Sequence, residues 1–260
     1  FETRAIRVVG LILDRKTAQN IDIDGLGLPC YVGNPRTANF ERWWTREVVR
    51  ASFVFTVNYL FLLDKTALSL PERAALNIHG SLLPLYRGRT PHVWAIINGE
   101  SHSGITVHYI DEGCDTGDIV VQHRIDISNE MTGNDLLEEF LDKYPSLILK
   151  SLSLANQNGF SGVPQDHGKA TMFPKRTPAD GEIDWNWSSS KIVNWVRALA
   201  FPYPGAFSFS SGHKVVIDKC RVSDNVIKGS FQCGEVIATH PCFSIATGSG
   251  AVELLDIRSG

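Results

Sequence analysis

An amide and an imidazole stand two residues apart at the end of an apolar run in this sequence. Asn77 and His79 would project from one face of a strand, because residues i and i+2 share a face. An amide N–H can stabilise negative charge on a carbonyl oxygen, and an imidazole can manage a proton. The acidic stretch from Asp111 to Asp118 can supply a carboxylate to hold the imidazole. These residues predict attack on a carbonyl carbon.

A longer run around this pair carries a family resemblance. Residues 76–91 read LNIHGSLLPLYRGRTP, and GITVH at 104–108 and PYPGAF at 202–207 follow. With the acidic stretch, these motifs resemble the signature of the folate-dependent formyltransferases over about residues 45 to 215. That family moves a formyl group from N10-formyltetrahydrofolate to an amine. The resemblance implies that this chain is an N-formyltransferase with the same donor.

The resemblance also implies a catalytic triad. The family's Asn, His and Asp fall on Asn77, His79 and Asp115, and all three are present. The amide would stabilise the oxyanion, while the imidazole would share in that work when charged or take the amine's proton when neutral. Water shuttled to Asp115 is an equal route for the proton.

Two further groups of residues are predicted to bind ligands. A flat pterin needs apolar walls and a few backbone partners, and the predicted folate-binding residues are Phe61, Leu62, Leu63, Ile110, Asp111 and Gly113. An arginine pair suits phosphate, and the predicted substrate-binding residues are Ser81, Tyr86, Arg87, Gly88 and Arg89. Tyr86 could stack on a base or sugar ring. No metal site is predicted.

The alternation of strands and helices predicts an α/β fold. We expect a Rossmann-like, mostly parallel sheet in a catalytic domain over residues 1–178, followed by a small β-rich domain over residues 179–260. In the family, a first strand, a glycine-bearing loop and a helix precede this region, so we expect that roughly 20 residues are absent. Thr90 and Pro91 predict the start of a helix, and Pro145 predicts a kink or break in a long one.

Several side chains are expected only to pack. Trp43 and Trp44 lie at roughly helical spacing and read as core residues. His108 is expected to alternate on a strand, and Cys114 to pack beside Asp115.

Composition narrows the class of protein. The chain has 260 residues, a formal charge of −3 and five scattered cysteines without a C-x-x-C pair. A reduced, cytoplasmic protein is predicted from the cysteines. No apolar run reaches the ~18 residues of a membrane helix, and the charge does not favour nucleic acid as a partner.

Three molecules are candidates for the acceptor of the formyl group: a nucleotide-linked amino sugar, an aminoacylated initiator tRNA, and a small purine precursor. Residues 89–94 and 105–115 look closer to sugar N-formyltransferases, which implies a role in polysaccharide biosynthesis. Residues 179–260 carry seven Lys and Arg against eight Asp and Glu, whereas a tRNA-binding domain should be basic. The favoured acceptor is the sugar. Methionyl-tRNA formyltransferase and a non-catalytic folate-binding protein are the alternatives. The oligomeric state is left open, a homodimer included.

Overall fold

The computed structural model describes residues 6–48, 50–59, 61–157, 161–224 and 230–260. The chain forms two compact units that interleave along the sequence. The first comprises residues 1–79, 106–122 and 146–169, and the second comprises residues 80–105, 123–145 and 170–260. The predicted division of the chain between residues 178 and 179 stays a prediction.

The elements of the described residues follow the predicted alternation in the first half of the chain. The strands are β1 Leu11–Leu13, β2 Cys30–Val32, β3 Phe53–Val57, β4 Ala74–His79, β5 Arg87–Gly88, β6 His102–Tyr109, β7 Ile119–Asp126, β8 Met172–Phe173, β9 Ala206–Ser210, β10 His213–Val222, β11 Val236–Ala238, β12 Ser244–Ala246 and β13 Ala251–Ser259. The α-helices are α1 Arg15–Ala18, α2 Ala38–Glu47, α3 Lys65–Leu68, α4 Pro91–Ile97, α5 Gly133–Ala155 and α6 Ser189–Ala198.

Parallel pairing is the main feature of the early strands. β1 pairs with β2, and β3 pairs with β4, both in parallel. β4 then pairs with β6 in the antiparallel sense, and the sheet order is β3-β4-β6-β7. This α/β arrangement, followed by an antiparallel C-terminal sheet, confirms the predicted fold class.

The expected sheet is interrupted between β1 and β3. Among the described residues no strand joins these two, so β1 and β2 form a separate two-stranded sheet. A largely apolar cavity of about 290 Å³ separates them, lined on one side by residues 9–13 and on the other by residues 53–57. A buried cluster that includes Phe40, Trp44 and Val54 supports this region. Trp44 therefore packs in the core, as expected.

Two prolines, Pro145 and Pro91, lie in helices where the sequence predicted an effect on the helix. α5 is not split at Pro145, which lies inside the helix. Proline removes the N–H that the carbonyl of Leu141 would accept. Both residues are exposed, so that carbonyl can bond to water instead. α4 has Pro91 at its first position, as predicted, but the side chain of Thr90 makes no capping hydrogen bond.

The C-terminal strands form one antiparallel sheet in the order β11-β12-β13-β10-β9. The sequence predicted a β-rich region over residues 179–260, and these strands all lie within it. Ser188 caps α6 by accepting from the amide of Lys191, and Ile192 and Val196 of this helix are buried. Among the described helices, none is both long enough and apolar enough to cross a bilayer.

Candidate active site

The three predicted triad residues lie together in the first unit. Asn77 and His79 stand near the end of β4, and Asp115 lies in the loop between β6 and β7. His79 Nδ1 is 3.6 Å from Asp115 Oδ1, and the two side chains are 7% and 13% exposed. At 3.6 Å this contact is electrostatic and longer than a hydrogen bond. The sheet and the loop thus bring an amide, an imidazole and a carboxylate into one cluster.

His108 completes this cluster, although the sequence reading expected only a strand residue. Its Nε2 atom lies 3.1 Å from Asn77 Nδ2 and 3.6 Å from Asp115 Oδ1. The imidazole is 2% exposed. The structural reason is the antiparallel register, in which His108 stands opposite Asn77 and therefore on its face of the sheet.

The loop that carries Asp115 is held by a distant side chain. Gln165 donates its amide hydrogens to the backbone carbonyls of Asp115, at 3.0 Å, and Gly117, at 2.7 Å. Cys114 contacts the Asp115 carboxylate with Sγ at 3.5 Å. The carboxylate position is therefore set by interactions outside the triad.

Left-handed backbone conformations occur in the loops that were predicted to form the site. Asn58 and Asp115 in the first unit have φ of 50° and 56°, and Tyr86 and Thr90 in the second have φ of 58° and 47°. Such conformations cost energy for residues other than glycine, and they cluster at functional sites. Among the described residues, four of the six such non-glycine residues lie in or beside these loops, and Arg50 and Ser211 lie elsewhere.

The first predicted folate segment, Phe61 to Leu63, follows β3. Leu62 is 56% exposed, whereas Leu63 is buried. Phe61 packs edge-on against Tyr59, with ring centroids 5.7 Å apart. Tyr59 donates its hydroxyl to the carbonyl of Gly33, and burial raises the pKa of this phenol to about 12. The loop thus has an anchored start and an exposed apolar side chain.

The second predicted folate segment, Ile110 to Gly113, is held in place by hydrogen bonds within its own loop. Asp111 accepts hydrogen bonds from the Gly113 amide at 3.0 Å and the Thr116 hydroxyl at 2.5 Å. A Cβ atom at Gly113 would stand 2.0 Å from Thr116 Oγ1, so this turn requires glycine. Ile110 packs on the same core cluster as Leu63. Asp111 also lines an open cleft of about 650 Å³.

Two contacts link the predicted folate segments to their surroundings. Lys65, just after the first segment, lies 3.0 Å from the carboxylate of Glu112 in the second. Arg36 donates from Nε to the carbonyl of Leu62 at 2.8 Å. The two segments are therefore neighbours within the first unit, and their role in folate binding stays a prediction.

The predicted substrate residues lie in the second unit. Ser81 is fully buried and donates to the carbonyl of Leu85. Arg87 is 6% exposed, whereas Arg89 is exposed. A Cβ atom at Gly88, where φ is 99°, would meet the carbonyl of Phe173 at 2.3 Å, so the paired strands β5 and β8 require glycine there.

Tyr86 already has partners within its own unit. Its ring stacks on Phe173, with centroids 4.8 Å apart and planes 10° from parallel. Its hydroxyl donates to Glu100 at 2.5 Å and accepts from Asn98 at 3.1 Å. Burial, with the Glu100 contact, raises the pKa of Tyr86 to about 12. One face of the ring is thus occupied by protein, and the predicted stacking on a base or sugar ring stays a prediction.

Two protein-family models match the chain. The model described as formyl transferase matches residues 39–152, and the one described as formyl transferase, C-terminal domain, matches residues 175–260. The first match contains Asn77, His79, His108 and Asp115. The polar cluster therefore lies within the part of the chain that the first model covers.

Solved structures share the fold. An N-formyltransferase from Helicobacter canadensis, solved with folinic acid and dTDP-3-aminofucose, is 17% identical with a TM-score of 0.67, and the match covers 98% of this chain and 100% of that one. HypX from Aquifex aeolicus, solved with tetrahydrofolic acid, is 19% identical with a TM-score of 0.65 over 96% of this chain. This chain spans only 44% of that HypX chain.

A methionyl-tRNA formyltransferase is also among the similar structures. The enzyme from Clostridium thermocellum is 21% identical, with a TM-score of 0.55, and the match covers 93% of this chain and 100% of that one. At such identities the likeness establishes the fold and leaves the acceptor to be argued from the residues themselves.

Proposed function

This chain belongs to the formyl transferase family, and from that premise we propose that it transfers a formyl group from N10-formyltetrahydrofolate to the amino group of a nucleotide-linked amino sugar. The observation that carries the proposal is the cluster of Asn77, His79, His108 and Asp115. The family's folate donor and transferase class agree with the sequence prediction. The sugar acceptor is the further step.

The cluster has the groups that formyl transfer needs. Asn77 can donate an amide N–H to the formyl oxygen, on which negative charge develops as the amine attacks. His79 can accept the proton that the amine loses. Asp115, 3.6 Å from both imidazoles, can balance the positive charge that then forms. The folate supplies the formyl group when it is bound.

The residues around the cluster fit a folate donor. Val57 stands opposite Ile78, next to Asn77 on β4, so the loop after β3 begins beside the amide. Leu62 on that loop exposes an apolar side chain, as a pterin wall requires. Lys65 and Glu112 connect this loop to the acidic one. These observations support a donor site between the two loops.

Charge supports a sugar nucleotide over tRNA. Residues 179–260 have a slight acidic excess, with seven Lys and Arg against eight Asp and Glu, and therefore offer no basic track for RNA. Two phosphates need only local cations, which Arg87 and Arg89 can provide. The Helicobacter canadensis neighbour was solved with such a sugar nucleotide, which supports the same class here.

A panel of acceptors tests this proposal. The protein is incubated with N10-formyltetrahydrofolate and nucleotide-linked 3-amino or 4-amino sugars, and mass spectrometry detects the gain of one formyl group. We expect formylation of at least one sugar, loss of it in His79→Ala, and a raised KM for the sugar in Arg87→Ala. A circular dichroism melt of each variant confirms folding.

Methionyl-tRNA is the decisive comparison substrate. We expect no formylation of it at low or moderate salt. Efficient formylation that falls steeply as salt rises would assign the tRNA function instead, because binding to many phosphates releases many counterions. Folate binding without turnover of any acceptor would indicate the non-catalytic alternative.

A further inference from the structure

Three polar side chains form a row across three adjacent strands of the first unit. Thr56 on β3 stands opposite Asn77 on β4, and Asn77 stands opposite His108 on β6. Thr56 Oγ1 is 2.6 Å from Asn77 Oδ1, and Asn77 Nδ2 is 3.1 Å from His108 Nε2. Directly opposed residues point to the same face, so the register itself creates this row.

His108, the last residue of the row, determines which group donates and which accepts in each of its hydrogen bonds. His108 Nδ1 lies 2.7 Å from the carbonyl of Tyr109, and a carbonyl can only accept, so Nδ1 carries the hydrogen. In a neutral imidazole Nε2 is then an acceptor, and Asn77 must face it with its NH₂ group. The carbonyl oxygen of the same amide therefore faces Thr56, whose hydroxyl donates to it.

We propose that Thr56 is a positioning residue that fixes the orientation of the Asn77 amide for catalysis. This inference rests on the proposed formyl transfer. The amide has two N–H groups, one of which is used by His108, and among the described residues the second has no protein partner. That second N–H is the donor left for the formyl oxygen.

The Thr56 hydroxyl matters because the two ends of an amide are nearly equal in shape and opposite in hydrogen-bonding character. If the amide turned by 180°, its oxygen would face the developing negative charge and repel it. His108 accepts only from the nitrogen end and therefore selects the orientation. In that orientation the Thr56 hydroxyl donates to the amide oxygen at 2.6 Å, whereas its other acceptor, the carbonyl of Leu76, lies 3.4 Å away. Both neighbours thus favour the orientation that stabilises the transition state.

Isosteric replacement of Thr56 separates this role from packing. Thr56→Val keeps the side-chain shape and removes the donor, and Thr56→Ser keeps the donor. We expect Thr56→Val to lower kcat about tenfold with little change in the KM for folate. Thr56→Ser should stay within about twofold of the wild type, since its hydroxyl is retained. The matched control is Thr45→Val, an exposed threonine of α2 whose hydroxyl bonds to the carbonyl of Glu41.

A double-mutant cycle tests whether Thr56 acts through Asn77. In an Asn77→Ala background, Thr56→Val should have no further effect on kcat. An equal loss in both backgrounds, or a wild-type kcat in Thr56→Val alone, would overturn the inference.

A measurement without turnover keeps this inference distinct from the proposed function. Nitrogen-15 NMR of the wild type should show His108 with its hydrogen on Nδ1, and the Asn77 side-chain amide protons should exchange faster in Thr56→Val. A hydrogen on His108 Nε2 would refute the assigned orientation. If the wild type forms no product with any acceptor, the proposed function fails, and the NMR result still decides the orientation of the amide.

Discussion

Two carboxylates, the partly exposed Asp115 and the buried Glu253, are held in different ways. Glu253 on β13 accepts from Arg221 at 2.7 Å and from Ser223 at 3.0 Å, and these bonds hold the pKa of its carboxyl below the usual value. Asp115 lies 3.6 Å from each of two imidazoles. Short charge-assisted bonds fix a carboxylate for structure. A position beside an imidazole, which can act as a general base, suits a carboxylate that takes part in a reaction.

The largest effect is expected at Asp115. Asp115→Asn keeps the size of the side chain and suits the left-handed backbone, and it removes the negative charge. We expect kcat to fall by ~10²-fold or more, because the imidazoles lose the group that balances their charge. Formyl transfer measured beside a thermal melt checks this. Near-normal turnover would remove Asp115 from the catalytic assignment.

Glu253→Gln should affect stability and leave turnover intact. The lowered pKa means that the carboxylate stabilises the fold above its unfolded pKa of about 4.3. This contribution is lost as pH falls through the lower folded value. We expect Tm to drop by a few degrees at pH 7, and the difference from the wild type to shrink under acidic conditions. Asp256→Asn, exposed on the same strand, is the control. A pH-independent difference would contradict the ionic origin.

Tyr86→Phe tests a third carboxylate, that of Glu100. The variant keeps the stack on Phe173 and removes the hydroxyl that donates to Glu100. We expect the free energy of unfolding to fall by about 1 kcal/mol, as for one hydrogen bond, with a small change in the KM for the acceptor. Urea denaturation and steady-state kinetics measure the two effects. A large loss of kcat would move Tyr86 into the reaction itself.

The smallest effect is expected at Glu112, three residues before Asp115 in the same loop. Its side chain is 70% exposed and pairs with Lys65, which is 79% exposed. Such pairs contribute roughly 0–1 kcal/mol. Glu112→Gln should therefore leave both kcat and Tm close to the wild type. A strong loss of turnover would mean that the charge of the whole loop, rather than that of Asp115 alone, supports catalysis.

Local patterns in the sequence were enough to predict much of the fold and part of the site. The period-two placement of Asn77 and His79 predicted a shared strand face, and β4 carries both. The motif resemblance identified the family and put Asp115 beside His79. Pro91 marked the start of α4. Each of these signals lies within a short stretch of chain.

The features that the sequence did not predict depend on contacts between residues that are far apart along the chain. His108 joins Asn77 across 31 positions, and only the register of β4 against β6 reveals this pairing. Thr171 and Phe173 meet Tyr86 from more than eighty residues away. The split between the sheet of β1 and that of β3 likewise depends on which strands pair. Periodicity defines the face of a strand but not its neighbour.

The left-handed backbone at Asp115, with φ of 56°, also restricts how this position can change during evolution. Asparagine and glycine are the replacements that this conformation accepts most easily. Each lies one nucleotide from an aspartate codon, and each removes the acid. The substitutions that the fold tolerates best are thus those that abolish its charge. On the proposed role of Asp115, one base change would thus keep the fold and lower turnover by ~10²-fold or more.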